Sequence, residues 1–169
     1  MDRPQSASTK TDRRYALRLL GAGVAIPVLA ACGVQASAAQ ANPLKLSDSQ
    51  WRSRLSDAQY SILREAGTER PYSSPLNEEK RKGVFTCAGC DNDLYSSSTK
   101  FESGTGWPSF YQPLGKAVSY STDLKIGYPR REVHCANCGG HLGHVFNDGP
   151  PPTGKRHCLN GLALNFRAA

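Results

Sequence analysis

Residues 87–90 read Cys-Ala-Gly-Cys, and residues 135–138 read Cys-Ala-Asn-Cys, followed by Gly139-Gly140. Two intervening residues let both sulfurs of such a knuckle reach one ion, and small or turn-forming residues let the backbone wrap it. Two knuckles supply four thiolates, which satisfies tetrahedral zinc and leaves no ligand position open, the mark of a structural site. The 44 residues between Cys90 and Cys135 exceed what a compact zinc finger uses. One ion held this way pins distant strands together. Two disulfides, or an iron or iron–sulfur centre, are the alternatives that spacing alone leaves open.

Around the knuckles the chain reads as short strands: Val84–Thr86, Leu94–Tyr95, Ala117–Ser121, Glu132–His134, His144–Phe146 and Leu162–Phe166. Gly, Pro, Asn and Asp break them. Ahead of them the pattern is helical from Lys45 to Leu76. Ser56-Asp57-Ala58-Gln59 fits a capping box, Tyr60 and Leu63 give an apolar face, and Gly67 supplies a stop. Thr68 to Tyr72 follows as an extended or turn segment, and Pro150-Pro151-Pro152 forms a stiff loop. The expectation is a small, mainly β domain with short N-terminal helices.

A chain of 169 residues suits one domain. Its net charge is +7, but five basic and two acidic residues precede position 42; the remaining 16 basic and 12 acidic residues give +4. That is an ordinary solubility charge, and no nucleic-acid partner is expected from it.

The first 41 residues read as an address and residues 42–169 as the domain. Thr11 to Arg18, T-D-R-R-Y-A-L-R, precedes an apolar stretch, Leu19 to Ala31, of 13 residues. A bilayer span takes roughly 20 residues. Ala36-Ser37-Ala38 and Ala39-Gln40-Ala41 then offer small-x-small cleavage sites. The segment resembles a bacterial twin-arginine signal, read by a machine that exports folded proteins, although Asp12 and Ala16 depart from the usual pattern. A second reading competes: Leu29-Ala30-Ala31-Cys32 resembles a lipoprotein box, in which a lipid on Cys32 would tie the protein to a membrane. Either way the expected location is the periplasm or cell envelope.

Cys158 stands alone in Gly154-Lys155-Arg156-His157-Cys158-Leu159-Asn160-Gly161. A thiolate is the nucleophilic form, and nearby cations favour it. Arg156 and Asn160 each lie two residues from Cys158, so on a strand all three project on one face. A buried, inert cysteine is the bland alternative. Two further segments bear on the choice: Gly104-Thr105-Gly106-Trp107-Pro108-Ser109-Phe110, and Gly140-His141-Leu142-Gly143-His144-Val145-Phe146-Asn147-Asp148.

Together with the T-E-R-P segment (Thr68–Pro71), both knuckles and R-H-C-L-N, these segments resemble the methionine-R-sulfoxide reductase B family over about residues 47–167. The resemblance implies two antiparallel sheets (an Mss4-like β-tent) with short N-terminal helices and one structural zinc on Cys87, Cys90, Cys135 and Cys138. It implies a catalytic Cys158 that attacks the sulfoxide sulfur, releases methionine and is left as a sulfenic acid. His141 and His144 match the family's proton and hydrogen-bond donors, and Arg156 and Asn160 its supporting polar residues. Trp107 matches the aromatic wall that receives the substrate methyl, a role suited to sulfur–aromatic contact, and Phe146 lines the same pocket. The implied partners are oxidised proteins or peptides carrying methionine sulfoxide, and a thioredoxin-like domain or other thiol as reductant; the chain is expected to act as a monomer.

Two departures stand out. Many members carry a resolving cysteine just before G-W-P-S-F, where this chain has Thr105, and His157 stands where Tyr or Phe is common. With four cysteines on the metal and Cys32 in the leader, recycling falls to an external thiol. The rival readings are a non-catalytic zinc-ribbon binding module and a general thiol oxidoreductase using a C-x-x-C pair. The first would bind nucleic acid in a salt-sensitive way; the second needs a pair free of metal.

Overall fold

The computed structural model describes residues 44–169. The proposed signal, its cleavage sites and Cys32 lie outside the described residues. Two short helices lead, α1 (Asp48–Arg54) and α2 (Asp57–Glu65). Both start in capping boxes: Ser47 accepts the Gln50 amide and Ser56 the Gln59 amide, while each glutamine reaches back to its serine. The expected helical run from Lys45 to Leu76 is therefore too long. Leu55 is extended and separates the helices, and the second ends at Ala66, whose φ of 52° is left-handed. Gly67 follows that cap instead of forming it, donating its amide to the Ser61 carbonyl.

Nine strands follow: β1 (Gly83–Cys87), β2 (Asp93–Ser96), β3 (Lys100–Phe101), β4 (Ser109–Phe110), β5 (Val118–Asp123), β6 (Arg130–Cys135), β7 (His141–Phe146), β8 (Arg156–Leu159) and β9 (Leu164–Ala168). They form two antiparallel sheets, one of three strands ordered β2-β1-β9 and one of six ordered β3-β4-β8-β7-β6-β5. The expected strand at Leu162–Phe166 begins later, because Gly161–Ala163 forms a 3-10 turn.

Aromatic rings join the sheets. Phe110 of β4 stacks on Tyr95 of β2 with centroids 4.6 Å apart, and meets Phe85 of β1 edge-on at 4.9 Å. These rings are fully buried with Leu142, Leu159 and Val133. Large flat side chains fill the space between facing sheets, and such pairs add about 0.5–1.5 kcal/mol each beyond area burial.

The helices close the core over the knuckles. Trp51 and Leu63 belong to the same buried cluster as Cys87, Cys135 and Cys138. A methyl group at Gly140 would stand 3.0 Å from Leu63 and 3.4 Å from the Cys138 sulfur, so a side chain there would require Leu63 to give by a few tenths of an ångström. Arg64 donates to the Cys138 carbonyl and the Leu44 amide to the Asn137 carbonyl. No helix among the described residues is long and apolar enough to cross a membrane.

Candidate active site and metal centre

The four knuckle sulfurs all lie within 4.8 Å of one another. Cys87 and Cys138 are separated by 3.7 Å and Cys90 and Cys135 by 3.5 Å. A disulfide needs about 2.05 Å, whereas sulfurs about 2.3 Å from one tetrahedral ion lie about 3.8 Å apart. The spacing fits an ion at the centre and no pair of disulfides. The residue after each knuckle turns left-handed, Asp91 at φ 57° and Gly139 at φ 68°, and its amide returns to the first cysteine's carbonyl. Asn92 donates to the Cys135 sulfur at 3.6 Å, the kind of outer contact that orients a ligand. The cluster is largely buried, with Cys90 partly exposed, and its four sulfurs complete a tetrahedral set.

Cys158 lies on β8 of the six-stranded sheet, outside the four-cysteine cluster, and is partly exposed. The ladder places it in a row that crosses the whole large sheet: Phe101, Ser109, Cys158, His144, Glu132 and Ser121 pair in turn. Residues directly opposite in an antiparallel ladder share a face, so thiol, imidazole and carboxylate stand side by side. At Gly143, beside His144, β7 and β8 leave no room for a side chain. A methyl there would stand 2.1 Å from the Cys158 carbonyl oxygen.

His141 joins that face through a β-bulge. Val133 pairs with Gly143 while the next residue, His134, pairs with His141, so one step on β6 spans two on β7. The extra residue reverses the alternation and brings the His141 and His144 rings to 5.4 Å, three residues apart on one strand. Each ring is anchored by a carboxylate. His141 Nδ1 is 2.5 Å from Glu132, and His144 Nε2 is 2.8 Å from Asp123, which also accepts from Arg130 at 2.6 Å. Burial lowers the His141 pKa, and the Glu132 contact opposes it. The backbone amide of Lys125, His144 and Arg130 hold the Asp123 carboxyl well below the usual carboxylate range.

Arg156 forms a fork on Asp148, two bonds of 2.9 Å, and lies 4.5 Å above the Phe146 ring. Its charge is held first by Asp148 and further by the Cys158 sulfur. Asn160 is placed differently from the strand reading: β8 ends at Leu159, and the amide side chain turns back, accepting from the Glu69 N–H and donating to the Leu142 carbonyl. It ties the strand end down.

Trp107 donates its indole N–H to the Glu69 carbonyl at 3.2 Å. Glu69, in the T-E-R-P segment, is a hub whose role the sequence reading missed. Its buried carboxylate accepts from the Gly161 and Leu162 amides at 2.5 and 3.0 Å. Thr105 stands with its hydroxyl 3.7 Å from the Cys158 sulfur. His157 faces the opposite way, into the core, where its Nδ1 meets the Tyr95 hydroxyl at 2.9 Å; burial, with Arg131 and Lys155, lowers its pKa to about 4.

The SelR domain model matches residues 55–168, which hold both knuckles, the histidine strand and Cys158. The chain belongs to the SelR family. Among curated relatives it is 54% identical over 124 residues to a protein of Arabidopsis thaliana named peptide methionine sulfoxide reductase B1, chloroplastic, a match covering 73% of this chain and 61% of that one. It is 53% identical over 121 residues to the peptide methionine sulfoxide reductase MsrB of Agrobacterium fabrum, covering 71% and 90%. The MsrB of Methanosarcina barkeri is 53% identical over 122 residues, covering 72% and 86%. Of the site residues that the family resemblance named, His141, His144 and Arg156 come together with Cys158, whose sulfur is partly exposed, while the Asn160 side chain bonds instead to Glu69 and Leu142.

Proposed function

We propose that this SelR protein is a peptide-methionine (R)-S-oxide reductase whose nucleophile is Cys158. One observation carries the reading: a partly exposed cysteine stands directly opposite a carboxylate-anchored histidine, with the bulge bringing in a second. The thiol attacks the sulfoxide sulfur, the S–O bond breaks, methionine leaves and Cys158 retains the oxygen as a sulfenic acid. Atoms balance without an added reductant in that half: thiol plus sulfoxide gives sulfenic acid plus thioether. Two external thiols then return Cys158 to the thiol, forming their own disulfide and one water.

The oxygen needs a proton as it leaves sulfur. With His141 Nδ1 on Glu132 and His144 Nε2 on Asp123, the opposite ring nitrogens remain for the substrate oxygen. On His141 such a nitrogen donates only when the ring is cationic; burial disfavours that state and the Glu132 contact opposes the burial. Trp107, anchored by Glu69, forms the wall for the substrate methyl, and Phe146, covered by Arg156, lies on the same side.

Cys87, Cys90, Cys135 and Cys138 would hold one zinc ion. Bound there, it supplies folding energy and no open coordination position, so the chemistry stays with Cys158. Residues 1–41 act as a twin-arginine signal, which suits a thiol-rich chain: folding around metal before export protects four cysteines from oxidation in the periplasm. Replacing Arg13 and Arg14 by Lys then retains the protein in the cytoplasm, measured by fractionation; undiminished export would contradict the route.

Turnover of separated epimers tests the activity. The protein reduces the R epimer of methionine sulfoxide in peptides and leaves the S epimer, and Cys158→Ser abolishes this with metal content unchanged. Equal action on both epimers, or full activity in Cys158→Ser, overturns the reading.

A further inference from the structure

Four oxygens and a sulfur form a line beside Cys158. Its Sγ is 3.7 Å from Thr105 Oγ1, which is 2.8 Å from Ser103 Oγ, which is 2.7 Å from Ser109 Oγ, which is 3.0 Å from the Trp107 carbonyl. Ser109 is fully buried, and it is the ladder partner of Cys158 itself. A carbonyl only accepts, and each hydroxyl has one proton. While Ser109 donates to Trp107, Ser103 must donate to Ser109, Thr105 to Ser103, and the Cys158 thiol to Thr105. The line has a polarity, and it suits the protonated thiol. Once Cys158 is a thiolate it has nothing to donate, and the polarity reverses by rotation of three hydroxyls: Thr105 donates to sulfur, Ser103 to Thr105 and Ser109 to Ser103. The Trp107 carbonyl gives up one hydrogen bond.

We propose that Thr105 is a catalytic residue that donates a hydrogen bond to the Cys158 thiolate, and that Ser103 and Ser109 are positioning residues that turn and polarise it. Aligned hydroxyls strengthen one another in a buried site, and a bond to an ionised partner is worth more than a neutral one. The loop is held for this task. Tyr72 donates its amide to the Gly106 carbonyl and its hydroxyl to the Gly104 carbonyl, both at 2.7 Å. Asn77 donates to the Gly106 carbonyl at 3.0 Å, and Glu102 accepts the Gly104 amide at 2.6 Å. Thr105 is thereby fixed beside the sulfur from both sides.

The charged and titratable groups around this sulfur are Arg156 with Asp148 on its own side, His144 with Asp123 and Arg130, His141 with Glu132 and His134, and Glu102 on the loop. None of them is altered by changing a hydroxyl. The test is the pH dependence of alkylation of Cys158 by iodoacetamide in the full-length, metal-loaded protein, followed by mass spectrometry. It needs no sulfoxide, so its outcome is separate from that of the proposed reductase activity. Thr105→Val, equal in shape, moves the pH of half-maximal reaction up by roughly one unit or more. Thr105→Ser restores it. Ser103→Ala moves it in the same direction by a smaller amount, although Ser103 does not touch the sulfur. Melting temperature and metal content serve as controls for folding. An unchanged profile in Thr105→Val overturns the proposal, and a shift in Thr105→Val with none in Ser103→Ala overturns the chain.

Discussion

His144 stands directly opposite Cys158 in the β7–β8 ladder, and its far ring nitrogen is bound to Asp123 on the sheet's edge strand. The proposed nucleophile and proton donor thus sit on hydrogen-bonded strands, with the carboxylate holding the ring from behind. Their relative placement depends on ladder register instead of loop conformation.

Glu132 sets the working pH of His141. Burial lowers the proton affinity of this ring and the 2.5 Å contact with Glu132 raises it. Glu132→Gln removes the opposing effect, so the cationic ring is lost at lower pH. The falling, alkaline limb of the kcat/KM profile moves toward acid, while activity well below it changes little. An unmoved limb would assign the proton to another group.

His157 makes the fold sensitive to acid. Its pKa is lowered to about 4 in the folded protein, against an ordinary value near 6.5. The folded ring stays neutral where the unfolded one is already protonated, so this contribution to stability is present above pH 6.5 and is lost as pH falls through 4. The shift amounts to about 3 kcal/mol at most, an order-of-magnitude figure. His157→Phe flattens the decline of melting temperature between those limits, measured by calorimetry at matched ionic strength.

Removal of metal acts on the front of the domain. Trp51 and Leu63 pack in one cluster with three of the four cysteines, so a strong chelator lowers the melting temperature and exposes Trp51. Cys87→Ser has the same direction, and both lower activity only as far as they unfold the protein. A tightly folded, active, metal-free protein would contradict the structural role.

Glu69→Ala removes the carboxylate that anchors the turn after β8; the Glu69 carbonyl still accepts from Trp107, but on a segment held less firmly. Two amides lose a buried acceptor, for a cost of about 2–4 kcal/mol. KM for peptide sulfoxide rises more than kcat falls, because the wall for the methyl loosens while Cys158 stays on its strand. Steady-state kinetics separates the two.

Much of this was legible in the sequence because it sits in local pattern. The knuckles, the capping box at Ser56 and the cysteine among basic neighbours are all contiguous. β3 and β4 were missed because two residues carry no periodicity, and β8 was suspected only through its cysteine. The carboxylates were missed for a different reason. Glu132 lies nine residues before His141 and Asp123 lies 21 before His144, so only strand pairing joins them. The bulge is hidden too, since H-L-G-H as a plain strand would send its two rings to opposite faces. Glu69 was visible as part of a motif, yet its partners lie more than 90 residues away.

In the mechanism proposed above one thiol carries the reaction, and a single turnover reveals whether it does. The reduced, metal-loaded protein is mixed with peptide methionine-R-sulfoxide without reductant, then trapped with dimedone and mapped by mass spectrometry. The expected outcome is one methionine released per chain and one dimedone adduct, on Cys158, with no new disulfide, because Thr105 cannot resolve a sulfenic acid. A disulfide between Cys158 and a knuckle cysteine or Cys32, or methionine released while Cys158 remains unmodified, would contradict it.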